Sequence, residues 1–225
     1  MTGAERLAQF GCQLRLESVP EAVVEAAKLH FLDAVGVGLA ASTLPLARRW
    51  GDAAHRISGT GHAATAFGRE ERMNAIGAAL LNGSLIHSLE YDDTHVASVV
   101  HGSAVASSAA LAIAEESDVS GDDLLCGYIA AWEAMIRLGL AAPGAYQANG
   151  FQISAVGGAI GAAIAAARIC GLSEADAVSA LGIAGSQASG LLAFLSNGST
   201  VKALHPGWAA HTGLMSVALA EAGMT

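Results

Sequence analysis

The chain has 225 residues, enough for one large domain or two small ones with a buried core. Its net charge of −9 speaks against nucleic acid, which needs basic patches. Hydrophobic residues make up 53% but aromatics only 5%, so the apolar mass is alanine, leucine, valine and isoleucine with 27 glycines, a composition that favours close-packed helices over strands.

In chain order, Ala4–Leu16 reads as a first helix. Ser18 and Pro20 open a second that runs to about Ala41, with Pro20 at a favoured first-turn position. Gly51 to Gly68 is mixed and punctuated by glycine, and Thr65-Ala66-Phe67 suits a short extended piece. Helical patterns return over Asn74–Ser88 and Ala104–Glu116. Ser120 with Asp123 resembles a capping box for a helix over Asp122–Leu140. A Pro143–Gly150 loop follows, then a helix over Ala155–Ile169. Ser173 with Asp176 caps the next, to about Leu195. A loop over Ser196–Gly207 precedes a last helix from Trp208 to Ala222. Eight helices with almost no strand predict a single all-α, multi-helix domain over 1–225.

Mean hydropathy is +0.46, which raises the question of a membrane. A spanning helix needs about 20 predominantly apolar residues. Polar residues break the longest uncharged stretch, Leu138–Ala167, and its remainder from Ile153 is short and glycine-rich. No signal peptide is evident at Met1, so the expected location is the cytoplasm, with no membrane partner. Cys12, Cys126 and Cys170 are far apart and odd in number, which suggests free thiols.

Three polar segments stand out. Glu90-Tyr91-Asp92-Asp93-Thr94-His95, followed by His101, places three carboxylates and two imidazoles within twelve residues. Closely spaced carboxylates raise one another's pKa and make general acid or base candidates, although a solvated helix end would have the same composition. Asp92, Asp93 and His95 also allow a metal site, since Asp92 and His95 lie three apart, but no matching pair occurs elsewhere in the chain. Asn149-Gly150-Phe151-Gln152 feeds a glycine-rich helix whose start favours anions. The third segment, Gly198-Ser199-Thr200-Val201-Lys202-Ala203-Leu204-His205-Pro206-Gly207, carries the one cation after Arg168. An isolated lysine in apolar sequence either reaches solvent or binds an anion.

Taken together, the order of these segments resembles the MmgE/PrpD family, whose known activities include 2-methylcitrate dehydratase, cis-aconitate decarboxylase and an iminodisuccinate epimerase. The resemblance rests on Glu90-Tyr91-Asp92-Asp93-Thr94 with His101, and on Gly198-Ser199, Lys202 and His205-Pro206-Gly207. It implies a large helical domain and a smaller α+β lid in a homodimer, with the site in the cleft between the domains. Family members are about twice this length, so the chain would hold only the helical part. The implied activity is a cofactor-independent lyase on small, anionic di- or tricarboxylic acids. The resemblance assigns catalytic roles to Glu90, Thr94, His101 and Lys202. Asp93, Gln152 and His205 would contact substrate. Gln152 departs from the family pattern, where histidine is common, and glutamine cannot carry protons at neutral pH. Gly102 likewise stands where proline is common. The alternatives are an inactive helical scaffold or dimerisation module, and the metal enzyme built on Asp92, Asp93 and His95.

Overall fold

The structure is a computed structural model that describes residues 1–225, with eleven α-helices, one 3-10 turn at Leu16–Ser18 and no strand beyond isolated bridges. The expected all-α class holds.

Helix α1, Gly3–Gln13, starts at a full capping box: Thr2 Oγ1 accepts from the Glu5 N–H, and Glu5 Oε2 accepts from the Thr2 N–H. Helix α2 is Glu21–Ala41, with Pro20 just outside it. The segment expected to be mixed begins instead with α3, Ala47–Ser58. Gly51 is no break there. It lies buried against Arg69, where a Cβ would sit 2.5 Å from the guanidinium. The expected extended piece follows as a bridge between Ala64 and Met73, and buried Asn82 pins it by accepting from the Phe67 N–H and donating to the Thr65 carbonyl.

Helices α4 (Ala75–Ser88), α5 (Gly102–Glu116), α6 (Gly121–Ala141) and α8 (Ile153–Cys170) form the body of the domain. A four-residue helix, α7 (Ala145–Ala148), interrupts the loop before α8. Fourteen of the eighteen residues of α8 are buried. Both α6 and α8 are long and apolar enough to cross a membrane, but here their apolar residues pack against neighbouring helices.

Two boundaries differ from the sequence reading by seven residues or more, and both shape the site. Helix α9, Glu174–Gln187, stops eight residues early. Residues 190–192 leave the helix to pair with 150–152: the Gln152 N–H donates to the Gly190 carbonyl and the Leu192 N–H to that of Gly150. Gly190 has φ +121°, and an added Cβ would lie 2.3 Å from Ala155 Cβ, so only glycine fits the crossing. After a short α10, Phe194–Asn197, the last helix α11 spans Val201–Glu221 rather than starting at Trp208. Pro206, expected in the loop, lies in the second turn of α11, where it leaves the Lys202 carbonyl without its helical donor. Lys202 and His205 therefore stand on a helix.

Small residues set the helix spacings. An added Cβ at Gly207 would come 2.1 Å from the Leu80 carbonyl oxygen, and one at Gly83 2.8 Å from Gly207 Cα. Thus α4 and α11 cross backbone to backbone. At Gly213 a Cβ would meet Ala162 at 2.4 Å, so α11 approaches α8 as closely. Cys12, Cys126 and Cys170 are free, and burial raises the pKa of each thiol.

Candidate active site

Helix α4 ends in an unusual way. Glu90, the second residue after it, has φ +58°, a left-handed conformation that glycine normally supplies at a helix end. Holding glutamate there costs about 1 kcal/mol. The turn brings the Glu90 carboxylate onto the Lys202 ammonium in the first turn of α11, 112 residues away in sequence. The chain then folds back, so that Asp92 meets His87 in the last turn of α4. His87 Nδ1 lies 2.7 Å from Asp92 Oδ2, and both side chains are fully enclosed. Asp92 Oδ1 is buried with no partner.

A second tight loop presents His101. The His95 N–H donates to the Val100 carbonyl at 2.9 Å, and Val99 takes φ +57°, a costly conformation for a β-branched residue. His101 caps α5. Its backbone N–H donates to Ser154 Oγ at 2.8 Å, while Nδ1 lies 3.0 Å from Thr94 Oγ1 and 3.6 Å from Asp92 Oδ2. Its ring meets that of His87 edge to face, centroids 4.8 Å apart. Burial pushes the His101 pKa below its ordinary value of 6.5. Asp92 and Glu90 oppose this, and the positive charge of Lys202 adds to it. Neutral imidazole is therefore the form present at pH 7.

Asp93 turns elsewhere. It holds the start of α5 by accepting from the Ser103 N–H and hydroxyl, and it pairs with His30 Nδ1 at 2.9 Å. Beside it the Trp132 ring fills the space over Gly102, where an added Cβ would come within 2.5 Å. That contact explains why a glycine follows His101.

Gln152 joins the two walls. Its Oε1 accepts from His205 Nδ1 at 2.5 Å, and its Nε2 lies 3.4 Å from His87 Nε2. One polarity satisfies every member. His205 Nδ1–H donates to the Gln152 carbonyl, the Gln152 amide to His87 Nε2, and His87 Nδ1–H to Asp92. Both imidazoles are then neutral, in agreement with a His205 pKa lowered chiefly by burial. Phe194 stacks edge to face on His205 and lies 5.9 Å beneath Lys202 Nζ. Above Lys202 opens a groove of about 550 Å³ lined by Glu90, Ser88, Ser199, Thr200 and Trp50.

Of the residues expected from the sequence, Glu90 and Lys202, Thr94 and His101, and Gln152 and His205 meet in pairs within one connected cluster. The metal alternative requires correction. Asp93 is occupied by Ser103 and His30, and His95 Nδ1 lies 2.8 Å from Ser98 Oγ, so Asp92, Asp93 and His95 do not converge. The atoms that could share an ion belong to His87, Asp92 and His101, all within 4.8 Å. His87 escapes the sequence reading. The available signal was a single imidazole in a helix without charge, a costly group to bury unpaired. Ser154 gives no such signal.

The sequence model described as the MmgE/PrpD N-terminal domain matches residues 5–225. The cis-aconitate decarboxylase-like protein oryM of Aspergillus oryzae is 34% identical over 225 residues, which cover 96% of this chain and 46% of that protein. The cis-aconitate decarboxylase of Aspergillus terreus is 29% identical over 223 residues, with 96% and 45% covered, and that of Homo sapiens 31% identical, with 94% and 44% covered. The chain spans about half the length of the curated relatives it matches.

Proposed function

The chain belongs to the MmgE/PrpD family, and from that premise we propose that it supplies the helical wall of a lyase acting on small di- or tricarboxylic acids, in decarboxylation or dehydration. The observation that carries this reading is the convergence of Lys202 and Glu90, 112 residues apart in sequence, near a neutral, largely enclosed His101.

In this mechanism Lys202 exchanges Glu90 for a substrate carboxylate. A cation aimed at developing charge is the largest usual contribution to such rates. His101 Nδ1–H is directed to Thr94 and Asp92, leaving Nε2 to move a proton. In dehydration neutral His101 takes the α-proton, the C–O bond breaks, and a second acid protonates the departing hydroxyl. In decarboxylation the C–C bond electrons stay on the substrate carbon as carbon dioxide leaves, and His101, having first taken a proton from solvent at Nε2, delivers it to that carbon. Positioned acid–base catalysis of this kind is worth roughly 10²–10⁴-fold. Gln152 fixes the polarity of the His87–His205 string without passing protons. A second copy of the chain is the partner we propose, supported by Leu29 and Leu32, about two-thirds exposed on α2. The excess of acidic residues speaks against nucleic acid as ligand, and the reading keeps the protein in the cytoplasm, away from membranes.

The test is turnover of 2-methylcitrate, citrate and cis-aconitate, followed by absorbance of the unsaturated acid and by carbon dioxide release. Activity on any of them that falls at least 100-fold in Lys202→Ala supports the lyase. A second reading, an inactive scaffold, is favoured by Gln152, and no turnover of any of the three acids would support it.

A further inference from the structure

The buried end of the site offers more than a hydrogen bond. Asp92 lies where two imidazoles meet: its Oδ2 is 2.7 Å from His87 Nδ1 and 3.6 Å from His101 Nδ1, and one donor atom from each of the three residues falls within 4.8 Å of the others. Its second oxygen, Oδ1, is buried with no partner, and a carboxylate oxygen shut away from water calls for a cation or a donor. Zinc held tetrahedrally by imidazole nitrogen and carboxylate oxygen keeps its ligand atoms about 3.3 Å apart. The two separations at Oδ2 bracket that figure, so an ion requires mainly that the two rings draw together. Charge is suitable too. Asp92 supplies one negative charge between neutral imidazoles, and Glu90 offsets the Lys202 cation nearby. Thr94 Oγ1, 3.0 Å from His101 Nδ1, stands beside a fourth position, and the His101 side chain, about one-fifth exposed, marks the way in from solvent.

We propose that His87, Asp92 and His101 bind one divalent transition ion of the Zn2+ kind, and that the bound ion holds the site inactive. Two nitrogen donors and a single carboxylate select such ions over Mg2+ and Ca2+, which take oxygen shells. No net proton leaves. The proton on each Nδ1 is given up to solvent and one is taken at Nε2 of the same ring. For His101 this fills the nitrogen assigned to proton transfer, so neither removal of an α-proton nor uptake of a solvent proton can occur there. For His87 the new Nε2–H faces Gln152. The Gln152 amide turns over to present Oε1 and donates through Nε2 to His205 Nδ1, whose own proton moves to its Nε2. Glutamine satisfies the string in either polarity. The inhibitory effect rests on the lyase reading of the site; ion binding does not.

The experiment is a calorimetric titration of the chain with ZnCl2, with CoCl2 as the spectroscopic probe. We expect one saturable site per chain and a visible cobalt band of tetrahedral strength, both reversed by EDTA, and no binding of MgCl2 at the same concentrations. Asp92→Asn keeps the shape and removes the charge, and His101→Ala removes the ligand nearest solvent. Each should weaken zinc about tenfold or more, while His95→Ala leaves it unchanged. Melting in EDTA checks that each variant is folded, and zinc should raise the melting temperature of the parent but not of either ligand variant. No saturable site, or parental affinity in either folded ligand variant, overturns the proposal; so does loss of binding in His95→Ala, which places the ion elsewhere. Turnover, measured with free zinc buffered because the acids themselves chelate it, should fall in step with occupancy and return with EDTA. Turnover unchanged at full occupancy, or seen only with zinc, overturns the inhibitory role. Absence of turnover in EDTA as well counts against the lyase reading, and the ion site is then decided by binding alone.

Discussion

Two stretches of the same helix behave differently. From His205 to Val217, α11 is sealed against α4 and α8, and Gly207 and Gly213 bring backbones together. From Val201 to Leu204 it borders open space, and its lysine is a quarter exposed. One turn separates a group locked in a buried hydrogen-bond string, His205, from one free to exchange partners, Lys202. The difference shows how a domain of small residues makes a site. Close packing fixes what must not move, and the site opens where that packing ends.

The largest break in this contrast should come from the sealed stretch. Gly207→Ala pushes a methyl into the Leu80 carbonyl and should cost ~3 kcal/mol despite alanine's better helix propensity, read as a urea midpoint shift with unchanged slope. Next comes the buried string. Gln152→Ala leaves His87 Nε2 and His205 Nδ1 without partners, at about 2 kcal/mol in the same measurement.

Acid sharpens the comparison further. His101, His205 and His211 all have pKa values pushed below 6.5 by burial. The unfolded chain then binds more protons than the folded one in the window under 6.5, so stability is complete above that pH and is lost as pH falls toward the folded values. Melting temperature should be flat from pH 7 to 8 and drop from 6.5 to 5, less steeply in His205→Asn. The smallest effect on stability belongs to the open stretch. Lys202→Ala removes a partly exposed ion pair and should change stability by no more than ~1 kcal/mol, while weakening carboxylate binding in a titration.

Much of this was legible in the residues. Asn74, Ser120 and Ser173 each cap the helix they were expected to start, because a side-chain oxygen beside an orphan N–H is a local matter. The lysine and the acidic segment stood out because a charge in apolar sequence demands a partner. Other features were hidden. Pro206 lay in the loop expected over Ser196–Gly207, but a helix tolerates one missing donor when both flanks are packed. The end of α9 was misplaced because residues 190–192 serve strand-like pairing with 150–152, which no local pattern encodes. Gln152 looked like a lost histidine, and its role as a bridge between His87 and His205 depends on three segments meeting.

By itself, the sequence determined the helical class, the starts of the helices capped by Asn74, Ser120 and Ser173, and the residue types available for chemistry, since those follow from propensity, capping and the expense of burying charge. Only the tertiary structure decided that Asp93 caps α5 instead of facing the groove, that His87 joins Asp92, and that Lys202 reaches Glu90. The pairs Asp93–Ser103 and His87–Asp92 are only ten and five residues apart, yet the turns that close them are held by His30, Gln152 and Lys202 from distant segments, whose positions are set by glycine-mediated helix crossings.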